Sequence, residues 1–61
     1  MMTREEAEAL VKKIQAEAPN IRFNGFKKFG DRYRVDLVDM ESGRSFTVGS
    51  EEDWRDWQNA Q

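Results

Sequence analysis

Residues 21–48, IRFNGFKKFGDRYRVDLVDMESGRSFTV, decide the fold. Apolar residues recur there at every second position, the period of a strand with one buried face, and the run is punctuated by Asn24-Gly25, Gly30-Asp31 and Ser42-Gly43. Taking the last two as two-residue hairpin loops sets the registers: Phe26 faces Val35, Met40 faces Ser45 and Leu37 faces Val48. Tyr33, Val35, Leu37, Phe26, Phe46 and Val48 then share one face. An unbroken first strand would turn Ile21 and Phe23 to the opposite face. One extra residue at Asn24-Gly25, a glycine bulge, returns both, because glycine tolerates the backbone conformation a bulge requires. Asn-Gly is also a strong hairpin signal, so a four-stranded sheet with a turn there is the alternative to the preferred three-stranded meander.

Outward from this block lie two helices. Thr3 and Glu6 have the spacing of a capping box, in which each side chain satisfies a backbone amide at the helix start. Ala7, Leu10, Val11, Ile14 and Ala18 follow at spacings of three and four as one apolar stripe, and Glu8 with Lys12 and Lys13 with Glu17 are spaced for ion pairs on the other side. Pro19 ends the helix, since its ring disfavours helical geometry at Ala18 and supplies no amide donor. After Gly49, Ser50 reads as the cap of a second, short helix whose first turn, Glu51, Glu52 and Asp53, suits the helix dipole. Trp54 and Trp57 share one side of it. So short a helix needs a surface to pack on, which assigns the indoles to the core in preference to an exposed anchor for a partner. The predicted fold is α+β: helix, three-stranded antiparallel meander, helix, in a single domain with both helices on one face of the sheet.

Composition excludes much chemistry. The 61 residues include no histidine and no cysteine, which removes imidazole bases and ligands, thiolate nucleophiles and disulfides. No apolar run is long enough to cross a membrane, and the N-terminal residues lack the basic-then-apolar order of a signal peptide, so the cytoplasm is the expected compartment. Ser42, Ser45, Ser50, Thr3 and Thr47 have no histidine to activate them. Asp36, Asp39 and Glu41 with Gly43 do not match the spacing of a calcium loop and read as turn and strand-end acids facing Arg22 or Arg44. The expectation is a non-enzymatic module without cofactor or metal.

The net charge of −2 conceals an uneven distribution. Residues 21–34 carry five basic side chains against Asp31 alone, whereas residues 35–61 carry two basic against seven acidic. The register puts Arg22, Lys27, Phe29, Arg32, Arg34, Asp36, Val38, Met40, Ser45 and Thr47 on the solvent face of the sheet. One reading is a solvated face whose arginines pair with Asp36 and Asp39. The preferred functional reading is a protein-binding surface, self-association included, in which Phe29, Val38 and Met40 form an apolar centre rimmed by arginine, or in which the edge strand at residues 45–48 pairs with a partner. The alternative is nucleic acid, with Arg22, Lys27, Arg32 and Arg34 on phosphates and Phe29 stacked on a base. Double-stranded RNA-binding domains share the order of elements, but they place lysines at the start of the second helix, where this chain has Glu51, Glu52 and Asp53. Shared order alone assigns no family.

Overall fold

A computed structural model describes all 61 residues. Helix α1 (Arg4–Glu17) is followed by β1 (Ile21–Phe29), β2 (Arg32–Asp39), β3 (Arg44–Val48) and helix α2 (Glu51–Asn59). The sheet is open and antiparallel, in the order β1-β2-β3.

The capping box at α1 is complete: the Glu6 amide donates to Thr3 Oγ1 at 3.2 Å and the Thr3 amide donates to Glu6 Oε1 at 2.9 Å. Each bond satisfies an amide the helix leaves without an internal partner. Ala18 closes the other end by donating to the Ile14 carbonyl at 2.8 Å, and Pro19 stops further propagation. The ion pairs expected along α1 do not form. Glu8 instead accepts from Arg4 at 3.3 Å, and Lys13 reaches across to Glu51 on α2, because a carboxylate at the α2 start lies within its span.

Asn24-Gly25 is a bulge. Phe23 pairs with Leu37 and Gly25 with Asp36, leaving Asn24 as the extra residue, and Gly25 adopts φ +117°. Ile21, Phe23 and Phe26 therefore all face the helices, and the four-stranded alternative is excluded. The first hairpin has the two-residue Gly30-Asp31 loop, with Phe26 opposite Val35 as expected.

The second hairpin differs from expectation. Its loop is residues 40–43, so Val38 faces Ser45, Leu37 faces Phe46 and Val35 faces Val48. Asp39 stabilises the longer loop. Its carbonyl accepts from the Gly43 amide at 2.8 Å, its Oδ1 accepts from the Glu41 amide at 3.0 Å, and Gly43 supplies the left-handed φ of +75°. The slip relative to the two-residue loop is two positions, and an even slip returns every side chain to the same face.

The core joins both helices to one face of the sheet. Ala7, Leu10, Val11 and Ile14 from α1 meet Ile21, Val35, Leu37, Val48 and Trp54 in one buried cluster. Met2 belongs to it as well: it exchanges backbone hydrogen bonds with Tyr33 at 2.8 and 3.2 Å, so that the N-terminus lies beside β2 beyond the end of β3. At α2 the Asp53 amide donates to the Ser50 hydroxyl, while the Asp53 carboxylate accepts from the Gly49 amide at 2.8 Å.

Candidate binding surface

The outer face of the sheet carries no helix. By pairing, its rows are Phe29 opposite Arg32, Lys27 opposite Arg34, Gly25 opposite Asp36, and Arg22 opposite Val38. Thr47 continues the Asp36 row and Ser45 the Val38 row. All these residues stand on the face expected of them. Arg22, Lys27 and Arg32 are exposed, Arg34 and Val38 are half-buried, and Phe29 is 50% exposed.

The apolar centre expected from Phe29, Val38 and Met40 does not form. Phe29 lies opposite Arg32, six residues from Val38 along β2, which at the rise of an extended strand is about 20 Å. Met40 is 54% exposed and lies in the second loop, where its amide donates to the Asn20 carbonyl and its side chain lines a shallow groove with Pro19, Ile21, Arg22 and Phe23. The site residues thus divide into a cationic group near the first hairpin loop, Lys27, Phe29, Arg32 and Arg34, and a second group, Arg22, Val38 and Met40, at the opposite end of the strands.

The expected arginine–aspartate pairing is also absent. The chain forms three ion pairs, Arg4–Glu8, Lys13–Glu51 and Arg55–Glu51, and none involves a cation of the outer face. Asp36, the one acid in these rows, accepts from Asn24 Nδ2 at 3.1 Å, a consequence of the bulge. Asp39 is buried and occupied by its loop, and its other contact is Asn20 at 3.5 Å. Arg34 forms no ion pair: Nη2 donates to Thr47 Oγ1 at 3.4 Å, and the guanidinium lies over Gly49, where an added Cβ would come within 2.8 Å of Nη1 and 3.2 Å of Asp53 Oδ2, so the Asp53 carboxylate stands nearby. Gly49 and Thr47 as supports for Arg34 follow from the four-residue loop, which no local signal in ESG announces. Lys27 and Arg34 stand opposite each other in register, with the Arg34 guanidinium leaning away from Lys27 toward β3.

The sheet edges offer less. The bulge interrupts β1, and on β3 only Ser45 and Thr47 point their backbone groups outward by alternation, the next outward amide, Gly49, being taken by Asp53. On the helical side a cleft of about 400 Å³ separates α1 from the start of α2; Leu10 and Met2 line it and the Lys13–Glu51 pair adjoins it. Glu51 is held below the ordinary carboxylate pKa of 4.5 by the hydrogen bond and charge of Lys13, with Arg55 adding to the effect. Glu6 is lowered from the same value by its hydrogen bonds with Thr3.

Of the hydroxyls, Thr3 and Ser50 cap helices, Ser42 accepts from the Arg44 amide and Thr47 accepts from Arg34. No group of three acidic side chains gathers in a metal-binding arrangement, and no helix is long and apolar enough to cross a membrane. Comparison of the chain with protein-family models, with curated proteins and with solved structures finds no match.

Proposed function

We propose that the chain is a non-enzymatic binding module whose outer sheet face, centred on Lys27, Arg32 and Arg34, takes an acidic protein surface. The observation that carries this reading is the contrast in pairing. Of the four helical cations Arg4, Lys13 and Arg55 find carboxylates within the chain and Lys12 does not, whereas none of the four on the outer sheet face, Arg22, Lys27, Arg32 and Arg34, forms an ion pair. The outer face gathers these cations without an ion pair among them, and a partner's carboxylates would complement that charge. Arg34, pre-positioned by Thr47 and Gly49, loses less freedom on binding than a free arginine. We place the module in the cytoplasm, since a chain without cysteine makes no use of an oxidising compartment.

Nucleic acid is the second reading, favoured by the half-exposed Phe29 opposite Arg32, a cation beside a stacking surface. Nuclear magnetic resonance titration of labelled protein separates the two. A glutamate-rich peptide is expected to shift the amides of Lys27, Arg32 and Arg34, and an oligonucleotide is not. The protein reading is overturned if the peptide leaves these signals unmoved or if duplex DNA binds with a log–log salt slope near about −3.6, the value for four phosphate contacts.

A further inference from the structure

The outer face has a counterpart on the same molecule. On α2, Glu52 and Asp56 are four residues apart, both exposed, and neither joins an ion pair; Glu51, by contrast, is engaged by Lys13 and Arg55. Trp54 is turned into the core, and the helical period puts Glu52 and Asp56 about 160° from it, facing away from the sheet. Like charges at this spacing disfavour the helix.

We infer that the acidic surface taken by the cationic sheet face is α2 of a second copy of this chain, with Glu52 and Asp56 set against Lys27 and Arg34. This rests on the protein-binding reading above and names the partner. The two charged pairs occupy opposite outer surfaces, one on the bare side of the sheet and one on the far side of the helical layer. A two-fold dimer cannot satisfy both at once, so the contact is head to tail and repeats from copy to copy. Its strength comes from exposed charge, which makes it weak and sensitive to salt.

Sedimentation of the full chain at rising concentration in low salt tests this. Weight-average mass should climb past that of a dimer without a plateau and return to 7.2 kDa in 0.5 M salt, a screening length of about 4–5 Å. Lys27→Gln/Arg34→Gln and Glu52→Gln/Asp56→Gln should each remain monomeric, with helical circular dichroism unchanged. An equimolar mixture of the two variants restores one good contact per pair and should stop at a 1:1 complex. A wild-type monomer at every concentration overturns the inference, as does association that survives Glu52→Gln/Asp56→Gln, or a mixture that stays monomeric. Should the wild type stay monomeric while the glutamate-rich peptide still shifts Lys27, Arg32 and Arg34, self-association fails and the protein-binding reading stands.

Discussion

The ring of Phe46 on β3 lies 4.2 Å from that of Trp57 on α2, centroid to centroid, with 5° between the planes. Trp54 extends the stack at 5.6 Å from Trp57 and 6.5 Å from Phe46. This stack is how a nine-residue helix, too short to persist alone, is kept on the sheet. Trp57 is half-buried and Trp54 only 1% exposed, so the two are not equivalent. Trp57→Ala is expected to lose roughly half of the 3–5 kcal/mol that removing a fully buried aromatic costs. Trp54→Ala should lose all of it, which equals about the whole stability of so small a core and leaves the chain unfolded. Urea titration followed by far-ultraviolet circular dichroism measures both. A Trp57→Ala variant as stable as the parent would remove the stack from the account.

Trp54 Nε1 is buried without a hydrogen-bond partner. An unsatisfied donor of this kind costs about 1–3 kcal/mol, and Trp54→Phe deletes it while keeping an aromatic ring in the core. The smaller ring loses packing, so the two effects oppose each other. The expected net change is within about 1 kcal/mol of the parent, far less than for Trp54→Ala. A loss as large as that of the alanine variant would contradict the burial of an unpaired donor.

Gly25 holds φ +117° with no atom within 4 Å of where a Cβ would stand, so a substitution there meets backbone strain and no collision. Gly25→Ala should destabilise by about 1–3 kcal/mol. The strain belongs to the bulge, and removing Asn24 removes the bulge while leaving Ile21 and Phe23 on the buried face. In the Asn24 deletion the same Gly25→Ala change should therefore lose much less. Equal losses in both backgrounds, read from a double-mutant cycle in urea, would separate the strain from the bulge.

Acidification should act through Glu6 and Glu51. Both carboxyls are held below their ordinary 4.5 in the folded protein, Glu6 by Thr3 and Glu51 by Lys13, so folding favours their charged forms. That contribution is complete above pH 4.5 and is lost as the pH falls from there through the folded values. Glu6→Gln retains an acceptor for the Thr3 amide and does not titrate. The Glu6→Gln/Glu51→Gln variant should lose less stability than the parent between neutral pH and the acid side of this window. Parallel pH profiles from urea titrations would show that neither group is linked to folding.

Most of the fold is legible in the chain because its signals are local. Thr3 and Glu6 are three residues apart, Gly30-Asp31 is a complete loop in itself, and the faces of Ile21, Phe23 and Phe26 leave a bulge at Asn24-Gly25 as the consistent solution. What escapes is set by contacts distant in sequence. Met2 is buried because an empty pairing position exists beside Tyr33, and Lys13 prefers Glu51, 38 residues away, to Glu17. The longer loop depends on the Asp39 side chain folding back on Glu41, and every β3 side chain keeps its expected face because the register differs by an even number of positions. Parity also limits the site. It places Phe29 and Val38 on one side of the sheet without bringing them together, since distance along the strand is a separate quantity from the face, and Met40 lies beyond the end of β2 in the loop.

The opposition of Lys27 and Arg34 provides a substitution whose effects on stability and binding have opposite signs. Lys27→Glu sets a carboxylate opposite Arg34 in register, an opposite-charge cross-strand pair. Such pairs are worth about 0.2–1 kcal/mol, and in a domain this small each kcal/mol raises the melting temperature by about 4–8 °C. The same change places a carboxylate in the middle of the cationic face, occupies Arg34 and repels an acidic partner. A face that is only solvated gains the stability and loses nothing; a face that binds acidic proteins gains the stability and loses the glutamate-rich peptide. Lys28→Glu is the control, because Lys28 pairs with Tyr33 on the opposite side of the sheet and carries no part of the site. Calorimetric melting with peptide titration of both variants decides the matter: peptide affinity retained by Lys27→Glu at a raised melting temperature would leave the cations of the first hairpin without a binding role.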